Sequence, residues 1–128
     1  MELKRRGKRL GVFSNDRAAG LALTLAQMEI RGYFEYVETS EAIGIEKPDP
    51  RAFDHILDHF KVPPSRLTYV GDDPIGDIDA AKAKGIRAVL HAVDGRTYKQ
   101  PWRDYDRVGA TQPDAIIRHF RELLDVIA

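Results

Sequence analysis

The chain has 128 residues, enough for one domain with a single hydrophobic core. Its hydrophobic fraction of 43% and charged fraction of 31% describe an ordinary soluble mixture and argue against disorder or a membrane-embedded chain. Lys plus Arg and Asp plus Glu both total 20, so no net charge favours nucleic acid, and the absence of cysteine excludes disulfides and thiolate metal sites and suits a reducing cytoplasm.

Residues 1–9 form a charged segment with Gly7 placed as a helix stop. With the charges balanced, its Lys/Arg cluster reads as a solvated helix end rather than a nucleic-acid contact. The apolar stretch that follows is too short for a signal peptide. Residues 10–13 (Leu-Gly-Val-Phe) predict a short strand that stops at Ser14, Asn15 and Asp16. Residues 17–31 are predicted helical, with Leu21, Leu25 and Met28 on a core-facing stripe and Gly32 closing the segment. Residues 36–39 (Tyr-Val-Glu-Thr) predict a second strand. The run Glu46, Lys47, Pro48, Asp49, Pro50 makes a rigid lead-in to a helix, where Asp49 can cap and Pro50 suits the first helical position. Phe53, Ile56, Leu57 and Phe60 form the buried stripe of that helix. His55 and His59 share one face of it at a spacing able to bind a metal. Without cysteine or a His-Glu-x-x-His pattern, both are expected to be solvated.

Residues 62–66 form a turn and residues 67–70 (Leu-Thr-Tyr-Val) a third strand. Gly71 breaks the strand, and Asp72, Asp73 and Asp77 follow within one turn-sized interval. From Ile75 the pattern is helical, with Ile75, Ile78 and Ala81 or Lys82 on one face and Gly85 as the stop. One acid there needs no role beyond helix capping. Three acids crowded at a strand end are harder to explain by capping, and α/β sheets place chemistry at that position. Hard oxygen ligands suit Mg²⁺, which takes one or two carboxylates plus a substrate phosphate. Residues 86–90 predict a fourth strand. Over 91–112 the pattern lapses into a polar loop punctuated by Tyr98, Trp102 and Tyr105. Such a loop is functional or packed by its own aromatics, and without a basic context stacking on bases is the weaker reading. A last helix is predicted from near Pro113, burying Ile116, Phe120, Leu123 and Ile127.

Strands and helices therefore alternate. That order predicts an α/β fold: a doubly wound parallel sheet of about four strands, helices on both faces, right-handed crossovers, and one domain over residues 1–128.

Three pieces, in this order, resemble motifs of the haloacid dehalogenase (HAD) superfamily, in the branch of small phosphatases and phosphoglycolate phosphatase-like enzymes. Residues 10–15 (Leu-Gly-Val-Phe-Ser-Asn) are similar to the second motif, a strand ending in Ser or Thr. Lys47, Pro48, Asp49 and Pro50 are similar to the third motif with its lysine. Gly71, Asp72, Asp73, Pro74, Ile75, Gly76 and Asp77, with residues 80–85 after them, are similar to the acidic fourth motif. The resemblance covers almost the whole chain. It implies that the Ser14 hydroxyl and the Asn15 backbone amide hold phosphoryl oxygens. Lys47 is the implied catalytic lysine, neutralising phosphoryl charge and orienting the nucleophile. Asp72 is implied as a Mg²⁺ ligand and Asp77 as a second ligand or a supporting partner, while Asp73 is assigned no role.

The first motif of the family is an apolar strand running into Asp-x-Asp-x-Thr/Val. Its first Asp forms the aspartyl-phosphate and its second is the general acid/base. No such strand precedes Ser14, and no substrate-selecting cap is present. The expectation is a HAD-like core lacking its first strand, inactive as an isolated chain. A phosphatase part acting on a small phosphorylated molecule is the first reading. A non-enzymatic remnant that oligomerises or complements a partner chain is the second. Without the first strand, the strands at 10–14 and 67–70 are expected to pair directly, or another chain fills the gap. Homo-oligomerisation is expected, with no nucleic-acid and no membrane partner.

Overall fold

Helix ends are closed by backbone bonds that demand left-handed φ angles. In the computed structural model, which describes residues 2–92 and 111–127, α1 (Glu2–Arg5) ends at Gly7 with φ 77°. The Gly7 N–H donates to the Lys4 carbonyl and the Lys8 N–H to the Leu3 carbonyl, both at 3.0 Å. Glycine adopts this conformation without a Cβ clash. α2 (Ala18–Gln27) stops earlier than predicted by the same device on a different residue. Glu29 takes φ 57°, its N–H reaching the Ala26 carbonyl at 3.1 Å and the Ile30 N–H the Leu25 carbonyl at 3.2 Å. The predicted stripe is cut short accordingly: Leu21 and Leu25 are buried, but Met28 is 61% exposed. A 3₁₀ turn, Arg31–Tyr33, follows in place of the Gly32 stop.

The chain falls into two units, Met1–His59 and Phe60–Ala128. In the first, β1 (Gly11–Ser14) runs parallel to β2 (Tyr36–Thr39), with Gly11 opposite Tyr36 and Ser14 opposite Thr39. α3 (Ser40–Ile43) starts at once, capped by the Thr39 hydroxyl, which accepts the Ala42 N–H at 3.2 Å. α4 (Pro50–Phe60) starts as predicted: Asp49 Oδ1 accepts the Arg51 N–H at 2.9 Å, and Pro50 occupies the first helical position. Ala52, Phe53, Ile56 and Phe60 are its buried side chains.

In the second unit, β3 (Thr68–Gly71), β4 (Arg87–His91) and β5 (Ala115–Ile117) form a parallel sheet in that order. Between β3 and β4 the chain makes a π-helical turn, Pro74–Asp79, and continues into α5 (Ala80–Ala83), which Gly85 closes at φ 79°. Ile78, Ala81, Ile86 and Val89 are buried. Ile117 and Leu123 join Val89 in a core against which Val70, Ala115 and Val126 pack.

Where a long last helix was predicted, the chain instead forms β5, a 3₁₀ turn (Phe120–Glu122) and the short α6 (Leu123–Val126). Asp114 is the cause. Its Oδ2 accepts the Ala88 N–H and its own N–H donates to the Ala88 carbonyl, both at 2.8 Å, which holds the segment extended beside β4. Two consecutive β-branched isoleucines then suit a strand better than a helix. Ile116 and Phe120 are 59% and 62% exposed rather than buried, and the Phe120 ring lies against His91.

The α/β class with parallel strands is as predicted. The described strands number five, in ladders β1–β2 and β3–β4–β5, rather than four in one sheet, and the ladder expected between the strands ending at Ser14 and Gly71 is not among them. Tyr98, Trp102 and Tyr105 lie outside the described residues. Among the described residues no helix is long and apolar enough to cross a membrane.

Candidate functional site

The first unit brings the predicted Asn15 and Lys47 together. Ser14 ends β1, and Asn15 projects its amide onto the backbone of Lys47. Asn15 Nδ2 donates to the Lys47 carbonyl at 3.1 Å, and Asn15 Oδ1 accepts the Lys47 N–H at 3.0 Å. Lys47 sits in a turn closed by the Asp49 N–H on the Glu46 carbonyl at 2.9 Å, with the Lys47–Pro48 peptide in cis. Asp49 is held below the usual carboxylate range by the Arg51 guanidinium, 2.7 Å away, and stays ionised as the cap of α4. The Ser14 hydroxyl is engaged locally: it donates to Asp16 Oδ2 at 2.7 Å and accepts the Asp16 N–H at 3.2 Å. Asp16, read from the sequence only as a strand end, is thus a neighbour of the predicted phosphate-binding hydroxyl.

In the second unit the three acids after β3 divide their roles. Asp77 is only 4% exposed, and its Oδ2 accepts the N–H groups of Asp72 and Asp73, both at 3.1 Å. A Cβ on Gly71 would run into that carboxylate, so the end of β3 admits glycine for lack of space. Asp73 Oδ1 accepts the Ile75 N–H at 3.0 Å, and a Cβ on Gly76 would lie 2.7 Å from the other oxygen of Asp73. The Asp73 carbonyl accepts from both Asp77 and Ile78, at 3.0 and 3.1 Å, which widens the turn to π geometry, a feature frequent at functional sites. Capping therefore accounts for Asp73, and loop bracing for Asp77. Asp72 is half-buried on the braced loop.

Among the described residues no three His, Asp or Glu side chains are grouped to hold a metal. A Mg²⁺ site needs only one or two carboxylates, with waters and phosphate completing the octahedron. The hard oxygens of Asp72, on a loop whose amides are already bound, fit that requirement.

His55 and His59 are exposed, as expected, and each is also hydrogen-bonded. His55 Nδ1 is bonded to the Tyr36 hydroxyl at 2.7 Å, and His59 Nε2 to Glu35 Oε2 at 3.1 Å. Arg9 grips the same Glu35 twice, Nε to Oε1 at 2.7 Å and Nη2 to Oε2 at 2.9 Å. That guanidinium, helped by His59, brings the Glu35 pKa down to about 2. Glu35, Tyr36, His55 and His59, with Arg31 and Asp58, line an open cleft that does not include Ser14, Asn15 or Lys47.

A model of the family described as haloacid dehalogenase-like hydrolase matches residues 1–91. The glyceraldehyde 3-phosphate phosphatase of Methanopyrus kandleri is 33% identical over 127 residues, covering 99% of this chain and 52% of its own length. Haloacid dehalogenase-like hydrolase domain-containing protein 3 of Mus musculus is 39% identical over 90 residues, or 70% of this chain and 35% of that protein. Among solved structures, a predicted phosphoglycolate phosphatase from Haemophilus somnus superposes with a TM-score of 0.82 at 26% identity, over 99% of this chain and 53% of that one. The 2-haloacid dehalogenase from Pseudomonas syringae pv. Tomato gives 0.77 at 31% identity, over 98% and 49%. The chain thus spans between a third and about half the length of these curated relatives.

Proposed function

Because the chain belongs to the haloacid dehalogenase-like hydrolase family, we propose that it carries the phosphate-binding and Mg²⁺-binding parts of a phosphatase acting on a small phosphorylated molecule. Relatives named for glyceraldehyde 3-phosphate and phosphoglycolate support a small phosphomonoester as the substrate class. The observation that supports the reading is the acid loop after β3, where the buried Asp77 carboxylate accepts the amides of Asp72 and Asp73 and Gly71 leaves it room.

Asp72 would hold the Mg²⁺, and Asp77 would fix the loop from which it does so. A cation there would offset charge on phosphoryl oxygens. Within the first unit, the Ser14 hydroxyl and the Asn15 backbone N–H would donate to phosphoryl oxygens, and the Lys47 ammonium would neutralise their charge. To do so the Ser14 hydroxyl must turn away from Asp16, which therefore competes with phosphate for it.

The nucleophile is the part we assign elsewhere. No apolar strand running into Asp-x-Asp precedes Ser14. The string Asp104, Tyr105, Asp106, Arg107, Val108 follows Pro101, Trp102 and Arg103 in sequence, not an apolar run, and comes after the other motifs rather than before them. Turnover then requires a nucleophile from a segment outside residues 1–128 or from a different, complementing chain, and self-association is a separate expectation that adds no such strand. Light scattering tests that last point, with a monomer mass at dilute concentration counting against it.

Titrating Mg²⁺ into the ¹⁵N-labelled chain tests the metal assignment. Amide shifts are expected at 71–77 and are expected to vanish in Asp72→Asn. Shifts that persist in the variant, or none in the parent, would remove Asp72 from the site.

A further inference from the structure

We propose that Asn15 is a positioning residue for Lys47, acting through its side chain; this rests on the phosphate reading above and goes beyond its assignment of the Asn15 backbone amide. A primary amide presents one donor face and one acceptor face in a single plane. That pair complements the N–H and C=O of one residue, and Asn15 meets both groups of Lys47, at 3.0 and 3.1 Å. It docks Lys47 onto the end of β1 much as a neighbouring strand would. On its other side the root of Lys47 is fixed by the Asp49 to Glu46 backbone bond at 2.9 Å, and Pro48 restricts the residue before it.

Lysine needs such help more than most cations. Its ammonium sits on a flexible four-carbon stem, so pinning the Cα is the means by which a fold limits where the charge travels. Asn15 adjoins Ser14, and the same clamp therefore brings the root of the cation to the strand end that carries the hydroxyl. Alanine removes both bonds. Aspartate keeps the acceptor for the Lys47 N–H but sets a carboxylate oxygen against the Lys47 carbonyl.

The test is a double-mutant cycle with Asn15→Ala and Lys47→Met, read by inorganic phosphate binding and by amide hydrogen exchange in the labelled chain. In Asn15→Ala the Lys47 amide is expected to exchange about tenfold faster and phosphate to bind about tenfold more weakly, the scale of one charge-assisted contact. On the Lys47→Met background the Asn15 substitution should leave phosphate affinity unchanged. An equal loss on both backgrounds would mean that Asn15 meets phosphate itself, and would overturn the positioning role. Unchanged exchange at Lys47 would overturn the clamp. If phosphate perturbs nothing in the parent chain, the phosphate reading falls and takes the purpose of the clamp with it, while the exchange arm still reports whether the two bonds exist. Strand amides at Val12 and Phe13 serve as the folding control. Should Asn15→Ala not fold, Asn15→Asp enters the same cycle.

Discussion

What a carboxylate does depends on which donors its oxygens already hold. Asp77 holds two backbone amides, Asp73 caps the turn, Glu35 holds Arg9 and His59, and Asp49 caps α4. Glu35 carries a measurable consequence. Its pKa is about 2 in the folded chain, mainly through Arg9, against about 4.3 for a free glutamate. Above the free value both states are ionised and the stabilisation is fully present. As pH falls below it the unfolded chain takes the proton first, and the stabilisation drains away until about pH 2. Melting temperatures of the parent and Glu35→Gln should therefore differ at pH 7 and converge only as the pH is lowered to about 2. The gap should also shrink in high salt, since the pair is partly exposed; a gap independent of pH would contradict the assignment. Asp49 was legible in the sequence because a cap and its helix are neighbours. The Asn15 clamp was not, because its partner lies 32 residues away and no local pattern distinguishes a clamping asparagine from a turn asparagine.

At the scale of elements, the end of α2 departed from the expectation because a non-glycine residue, Glu29, does a glycine's work there. Glu29 and Lys61 hold φ angles of 57° and 54°. A side chain there meets the steric penalty of the left-handed region, while glycine avoids it at some cost in chain entropy. Glu29→Gly and Lys61→Gly should each stabilise by roughly 0.5–1 kcal/mol in urea unfolding. A loss of stability in either would show that its side chain carries more than the backbone conformation. The last segment failed for another reason. The apolar spacing of Ile116, Phe120, Leu123 and Ile127 fits a helix, but Asp114 pins the segment to Ala88 across 26 residues. Asp114→Ala leaves the Ala88 N–H without that acceptor and frees Lys82, which bonds the other carboxylate oxygen at 3.0 Å. The expected loss is about 1–3 kcal/mol, with faster exchange at Ala88; an unchanged Ala88 amide would show that β5 docks without the latch.

For the whole molecule, the alternation of strand and helix was enough to predict class and parallel pairing, because βαβ order leaves few alternatives. It was not enough to predict how strands divide between ladders, which depends on long-range contacts that carry no periodic signal. Two behaviours belong to this scale. With 20 basic and 20 acidic side chains and a pI near 6.9, duplex DNA should not bind detectably at low salt in a polarisation assay, and micromolar binding would reveal a basic face that the balance conceals. Residues 1–128 alone should hydrolyse an aryl phosphate no faster than buffer with Mg²⁺. Turnover abolished by Asp104→Asn would identify the string after Trp102 as a nucleophile source and overturn the need for an outside segment.

The contact between Gly71 and Asp77 ties two positions into one heritable choice. In a library that randomises both codons, residue 71 alone should tolerate almost nothing while Asp77 is kept, because any side chain there meets the carboxylate. Residue 77 alone should tolerate little, because two amides would lose their acceptor. Alanine at 71 should survive chiefly with glycine or serine at 77, in clones that fold but no longer present Asp72. Lineages that drift at one of these codons would be expected to lose the other, so a glycine directly after the β3 valine and an aspartate six residues beyond it form a paired signature by which a working acid loop can be told from a relic.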